Sequence, residues 1–95
     1  MTHIFDSNRF PQMSSDFAVR VRTILLQHGR LAVDALTLHE AADLYEAGMT
    51  SHASVNVMLA LEGRFDVEFP DSMLSRSVFG SIASITDALS KLQPA

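Results

Sequence analysis

Apolar residues recur at helical spacing in three stretches of this chain, and the one alternating stretch is too short to build a sheet. Phe17, Val21, Ile24, Leu25 and His28 fall on one side of a first helix, with Ser14-Ser15-Asp16 as N-cap candidates and Gly29 as a natural C-cap. Arg20 and Arg22 lie off that stripe and are expected to face water. A second helix is expected to open at Thr50 or Ser51, either of which can cap it, and to end near Glu62, before Gly63-Arg64. Its core face reads Ser54, Val57, Met58, Leu61 and Phe65, while Val55 and Leu59 draw a second apolar line on another side. A helix apolar on nearly all sides is either deeply buried or offers a surface to a partner, and deep burial is hard in a chain this small. The last helix is capped by Ser81, carries Ile82, Ile85, Leu89 and Leu92 on one face, and is closed by Pro94.

Between these stretches the pattern breaks. Residues 1–13 show no periodicity and contain Pro11, which reads as a loose amino-terminal arm ahead of one domain spanning residues 14–95. Residues 30–50 form a long connection with scattered apolar anchors at Leu31, Val33, Leu36, Leu38, Leu44 and Tyr45, and a helical turn is possible from Leu38 to Leu44. Phe65-Asp66-Val67-Glu68-Phe69-Pro70 alternates like a short extended segment, and Asp71 or Ser72 can cap a short turn through Met73, Leu74 and Arg76. The expected architecture is all-α: three longer helices and one short one around a single core, with a long loop between helices one and two.

Composition narrows the function. The chain has 95 residues, is 47% hydrophobic and contains no cysteine, so it can bury one core but has no disulfide, thiolate metal site or thiol nucleophile. Its net charge of −4 argues against a nucleic-acid partner. Four arginines (Arg9, Arg20, Arg22 and Arg30) face only Asp6 and Asp16 in residues 1–30, whereas residues 31–95 set Arg64, Arg76 and Lys91 against nine acids. That acidic part is either a solvated surface or one that meets basic partners. No apolar run reaches the length of a membrane span, and Met1-Thr2-His3-Ile4-Phe5-Asp6 lacks the pattern of a secretory signal, so a monomeric cytoplasmic protein is expected.

Catalytic chemistry is hard to assemble from these residues. His3, His28, His39 and His52 do not pair at metal-ligand spacing, and His39 with Asp43 supplies only two ligands, so no metal is expected. His28 reads as a helix-end histidine that favours the dipole when charged. There is no GxSxG elbow, and the glycines at 29, 48, 63 and 80 stand singly rather than in a phosphate loop. The chain is therefore read as a non-enzyme. What survives is Ser51, at the start of a helix, with Gly48 behind it and an apolar helix ahead. It can be a plain N-cap, or its hydroxyl can be held exposed for another enzyme to modify, at a helix end that favours a phosphodiester.

These residues resemble the acyl or peptidyl carrier protein family. The family's signature is an apolar-aromatic pair, a glycine, and a modified serine opening helix two; here it reads Asp43-Leu44-Tyr45-Glu46-Ala47-Gly48-Met49-Thr50-Ser51. Downstream, Leu59-Ala60-Leu61-Glu62-Gly63-Arg64-Phe65-Asp66-Val67-Glu68-Phe69-Pro70-Asp71 is similar to the family's Leu-Glu pair and Phe-Asp-Ile-Glu-Ile-Pro-Asp-like segment, and the spacing of the two blocks is kept. Ser81-Ile82 resembles the start of its last helix. The resemblance, over roughly residues 15–92, implies an acyl-carrier-like bundle in which Ser51 receives 4′-phosphopantetheine from coenzyme A through a phosphopantetheinyl transferase. The arm then carries an acyl or aminoacyl group as a thioester between enzymes, and Val57, Met58, Leu61 and Phe65 with Ile82, Ile85 and Leu89 form the interior.

The departures point to a subgroup. Thr50-Ser51-His52 stands where the family usually has Asp-Ser-Leu, and Ala53, Asn56 and Leu59 stand where fatty-acid carriers show acids on helix two. That favours a dedicated carrier with an apolar docking face over a generalist fatty-acid carrier. The stretch from Phe69 to Ile82 resembles small free-standing bacterial carriers, some of them aminoacyl carriers charged by ligases similar to truncated seryl-tRNA synthetases. On that subgroup reading His52, Val55, Asn56 and Leu59 on helix two are expected to face the ligase, and Thr50 is expected to join them in binding a partner. The competing expectation is an unmodified helical interaction module that uses the same apolar face.

Overall fold

The computed structural model describes the backbone of residues 12–92 and the side chains of residues 17–92. The arm assigned to residues 1–13 thus lies, apart from the backbone of Gln12 and Met13, outside the described residues, as does the stop at Pro94. Four α-helices make up the described chain: α1 (Gln12–Ile24), α2 (Ser51–Phe65), the short α3 (Arg76–Phe79) and α4 (Ile82–Leu92). A π-turn (Leu25–Gly29) extends α1, and a 3-10 turn (Asp71–Met73) precedes α3. No strand occurs among the described residues.

The first helix is already under way at Gln12, so Ser14, Ser15 and Asp16 lie within it rather than capping it. Its end also differs from expectation. The widened turn carries the chain past Gly29, which is buried against the Leu25 side chain, and the left-handed residue that closes it is Arg30 at φ 54°. Arg22 does not face water: it is half-buried, and its guanidinium donates to the carbonyls of Ala35 (3.0 Å) and Leu38 (2.6 Å). Arg20 lies over the Phe65 ring, 5.6 Å from its centre. Long basic side chains cover apolar or polar backbone while their charge stays near water, which a stripe pattern does not reveal.

The second helix buries Ala53, Val57, Leu61 and Phe65, a row spaced by four. The expected row is therefore corrected at its first member and at Met58. Ala53 takes the core position given to Ser54, and both Ser54 and Met58 are half-buried at the edge. The helix also outruns Gly63-Arg64. Gly63 faces open space and tolerates the helix, burial of Phe65 favours one more turn, and Asp66 in the left-handed region at φ 55° ends it. Beyond it, Glu62 accepts the Phe69 amide at 2.9 Å and holds the extended segment against the core.

Val21, Ile24, Leu25, Leu44, Val57, Leu61, Ile82, Ile85 and Leu89 form the fully buried centre, closed by edge-on ring pairs between Phe17 and Phe65 and between Phe69 and Phe79. At the head of α4, the Ser81 hydroxyl accepts the Ser84 amide at 3.1 Å, the cap expected there. The long loop has no helix, only turns at Asp34–Thr37, His39–Ala42 and Asp43–Gly48; Ala35, Leu44 and Met49 are its buried anchors, Leu31, Leu38 and Tyr45 pack against the core as expected, and Val33 and Leu36 are exposed instead. Backbone bonds from Leu44 to Gly80 and from Ala83 to Glu40 tie it to the α3–α4 corner. Among the described residues, no helix is long and apolar enough to cross a membrane.

Candidate functional site

The loop that ends at α2 is built around one glycine. Gly48 sits at φ 117°, and a Cβ there would come within 2.9 Å of the Ala32 backbone nitrogen. Only glycine takes that conformation readily and lets the two strands of the loop close, as they do through the 2.8 Å bond from Ala32 to the Ala47 carbonyl. Met49 then drops into the core, its amide donating to the Leu44 carbonyl at 3.0 Å. With Met49 buried, the next two residues are turned to the surface.

Those two residues take different tasks. Thr50 is the N-cap: its backbone is extended and its hydroxyl accepts the Ala53 amide at 3.0 Å. Ser51 is the first residue of the helix and is exposed, and no hydrogen bond of its hydroxyl occurs among the described residues. The two roles open to Ser51 are thereby separated. It does not cap the helix, so its oxygen is available to form a bond to an incoming group. The cap leaves the Ser51 and His52 amides at the open end, where N–H groups and the helix dipole favour a negatively charged substituent. An exposed hydroxyl beside unpaired N–H groups fits a phosphodiester-linked arm; no cluster of three metal-ligating side chains occurs among the described residues.

His52, Val55, Asn56 and Leu59 continue from Ser51 along one side of α2, spaced by three and four. His52 is exposed, Val55 and Leu59 keep 49% and 55% of their surface, and Asn56 is half-buried. The structure therefore places all five residues expected to meet a partner on or beside one strip that begins at the hydroxyl.

Alongside this strip opens a groove of about 250 Å³, which pattern reading does not single out. Ser54, Val55 and Met58 of α2 form one wall, and Leu74, Arg76 and Phe79 form the other. Arg76 is stacked on the Tyr45 ring at 4.3 Å and lies 3.7 Å from the Asp43 carboxylate, whose other oxygen caps the Tyr45 and Glu46 amides. Arg76 thus links the loop before Ser51 to α3, reinforcing the 2.7 Å bond from Leu44 to Gly80. The pairing spans more than thirty residues, so no local spacing signals it.

Comparison with known proteins agrees with this geometry. The family model described as a phosphopantetheine attachment site matches residues 20–89. The chain is 46% identical over 69 residues to an aminoacyl carrier protein of Agrobacterium fabrum, covering 73% of this chain and 83% of that one. It is 36% identical over 80 residues to aminoacyl carrier protein 1 of Bradyrhizobium diazoefficiens, covering 81% and 89%. A structure of an engineered Bradyrhizobium japonicum glycine:[carrier protein] ligase complexed with a carrier protein from Agrobacterium tumefaciens and ATP contains a chain matched at TM-score 0.77 and 42% identity, over 80% of this chain and 99% of that one. A solution structure from Agrobacterium tumefaciens matches at TM-score 0.64 and 43% identity, over 78% and 89%.

Proposed function

Because the chain belongs to the phosphopantetheine carrier family, in its aminoacyl carrier subgroup, we propose that Ser51 bears the 4′-phosphopantetheine arm and that the protein carries an aminoacyl group on it between enzymes. The observation that carries this reading is the separation of cap from hydroxyl: Thr50 holds the helix end, and Ser51 is left exposed with its oxygen unengaged among the described residues. When bound, the arm supplies the thiol that forms the thioester, since the chain itself has no cysteine. The protein's own residues present the attachment oxygen and hold it at a fixed place on a rigid helix. On this reading it is a substrate and shuttle rather than a catalyst, acting as a monomer in the cytoplasm.

Two kinds of partner follow. A phosphopantetheinyl transferase must reach Ser51, and an aminoacyl ligase must reach the loaded arm; the related carrier bound to a glycine:[carrier protein] ligase supports the second. The strip of His52, Val55, Asn56 and Leu59 beside Thr50 and Ser51 is the surface we assign to the ligase, because it starts at the attachment point and keeps its apolar groups exposed.

Intact mass after incubation with coenzyme A, Mg²⁺ and a broad-specificity transferase tests the reading. The parent protein should gain one phosphopantetheine and Ser51→Ala none. A folded parent that gains nothing from several transferases overturns the carrier role and leaves an unmodified interaction module, whereas modified Ser51→Ala overturns the site.

A further inference from the structure

Six of the chain's seven basic side chains are arginine, and the single lysine is Lys91. Lys91 lies in the last turn of α4, where it pairs with Asp87 at 3.1 Å. The other end of α4 is tied to the loop that leads into Ser51, through the bonds from Leu44 to Gly80 and from Ala83 to Glu40. Lys91 is nine residues beyond Ile82, about 14 Å along the helix at 1.5 Å per residue, so the one side-chain amine sits at the end of α4 away from the attachment site. The cation near the attachment site is of another kind. Arg76 lines the groove with Ser54 and Val55, which follow Ser51 by three and four residues and stand about one helical turn from it. Its exposed guanidinium is 3.7 Å from the Asp43 carboxylate and is stacked on the Tyr45 ring at 4.3 Å. A lysine can also pair with a carboxylate and rest on an aromatic face, so charge alone does not require arginine here. What separates the two is nucleophilicity: a guanidinium keeps its proton in proteins, whereas a lysine ammonium can release one and become a free amine.

We infer, on the carrier reading of Ser51, that Arg76 is a positioning residue chosen for what it does not do: it clasps the loop before Ser51 to α3 without offering an amine to the thioester, while the only lysine is kept away at the end of α4. A thioester yields its acyl group to an amine that meets it. The amine nitrogen bonds to the thioester carbonyl carbon, the C–S bond breaks, and the departing thiolate takes the proton that the nitrogen gives up. The product is an amide, from which the thiol does not recover the cargo. Tethering makes the hazard intramolecular, because a short flexible arm holds its tip at roughly millimolar effective concentration against groups near its anchor. A lysine at position 76 would meet the Asp43 carboxylate and the Tyr45 ring equally well, yet would stand within that radius as a competing acceptor. With arginine there, no side-chain amine of the carrier near the arm competes with the acceptor that the next enzyme supplies.

The test loads the whole protein with an N-acetylglycyl arm from the corresponding coenzyme A thioester, a cargo with no free amine of its own. The loaded protein is then held at mildly alkaline pH, where more of any lysine is in the amine form. Intact mass before and after hydroxylamine, which cleaves thioesters and leaves amides, reads how much acyl group has moved to nitrogen, and peptide mapping reads where. The parent should lose its acyl group to water and show no hydroxylamine-resistant adduct at Lys91. Arg76→Lys and Leu74→Lys, which put an amine on the groove beside Ser51, should accumulate the adduct at the substituted position, and Arg76→Gln should not. Val19→Lys, at an exposed position on α1, should also stay free of it. Absence of the adduct from both groove variants, its equal appearance in Val19→Lys, or an adduct at Lys91 in the parent overturns the inference while leaving the carrier reading intact. Failure of Ser51 to acquire any arm is a different outcome, seen by mass alone, and overturns both.

Discussion

Thr50 accepts the Ala53 amide at 3.0 Å while Ser51 makes no such bond, so the two hydroxyls respond oppositely to truncation. Thr50→Ala removes the cap and should lower stability by about 1 kcal/mol, a fall of about 4–8 °C in the melting midpoint for a domain of this size. Ser51→Ala removes an exposed hydroxyl from the first helical turn and should stay within about 0.5 kcal/mol of the parent. Thermal melts of the two variants, beside their mass after transferase treatment, separate cap from attachment point: the first variant is weakened but still modified, the second stable and blank. Sequence alone leaves the capping role open between these neighbours, because threonine and serine are both good caps and differ here only in which one Met49 turns toward Ala53. The choice is made by the burial of Met49, a tertiary fact.

The elements divide in the same way between what periodicity shows and what it hides. The rows Val57–Leu61–Phe65 and Ile82–Ile85–Leu89 are legible because burial repeats at the helical period. The end of α2 is not: Gly63-Arg64 reads as a stop, yet the helix continues to Phe65, whose ring packs edge-on with Phe17 on a distant segment. The π-turn after Ile24 has no local signature, and Arg22 looks solvent-facing until its acceptors, 13 and 16 residues away, are known. Those two bonds hold the long loop to α1. Arg22→Ala should leave the carbonyls of Ala35 and Leu38 without that donor, and amide exchange at Thr37 and Ala42, the donors of the two turns nearest those carbonyls, should accelerate measurably while the α4 amides keep their rates. Gly48→Ala strikes the other end of the loop. A left-handed backbone combined with a 2.9 Å approach to Ala32 should cost on the order of 1–3 kcal/mol, read as a drop in the denaturation midpoint.

At the scale of the whole molecule, Val55 and Leu59 extend from the attachment oxygen along one side, and the groove opens beside them. Their exposure makes them dispensable for folding. Val55→Glu and Leu59→Glu should therefore melt close to the parent and still accept the arm, yet lower the kcat/KM of an aminoacyl ligase by about tenfold or more, the effect of about 1.4 kcal/mol of lost contact. Unchanged ligase kinetics in both variants would place the docking surface elsewhere. The missing cysteine bears on the loaded molecule as a whole. With no sulfur of that kind in the chain, the only thiol of the armed protein is the one at the tip of its tether. In air, two such molecules can join only tip to tip, as a symmetric pair that a reductant separates and that Ser51→Ala never forms. A maleimide dye then counts the unloaded arms one for one, so the occupancy of a whole population can be read from a single absorbance.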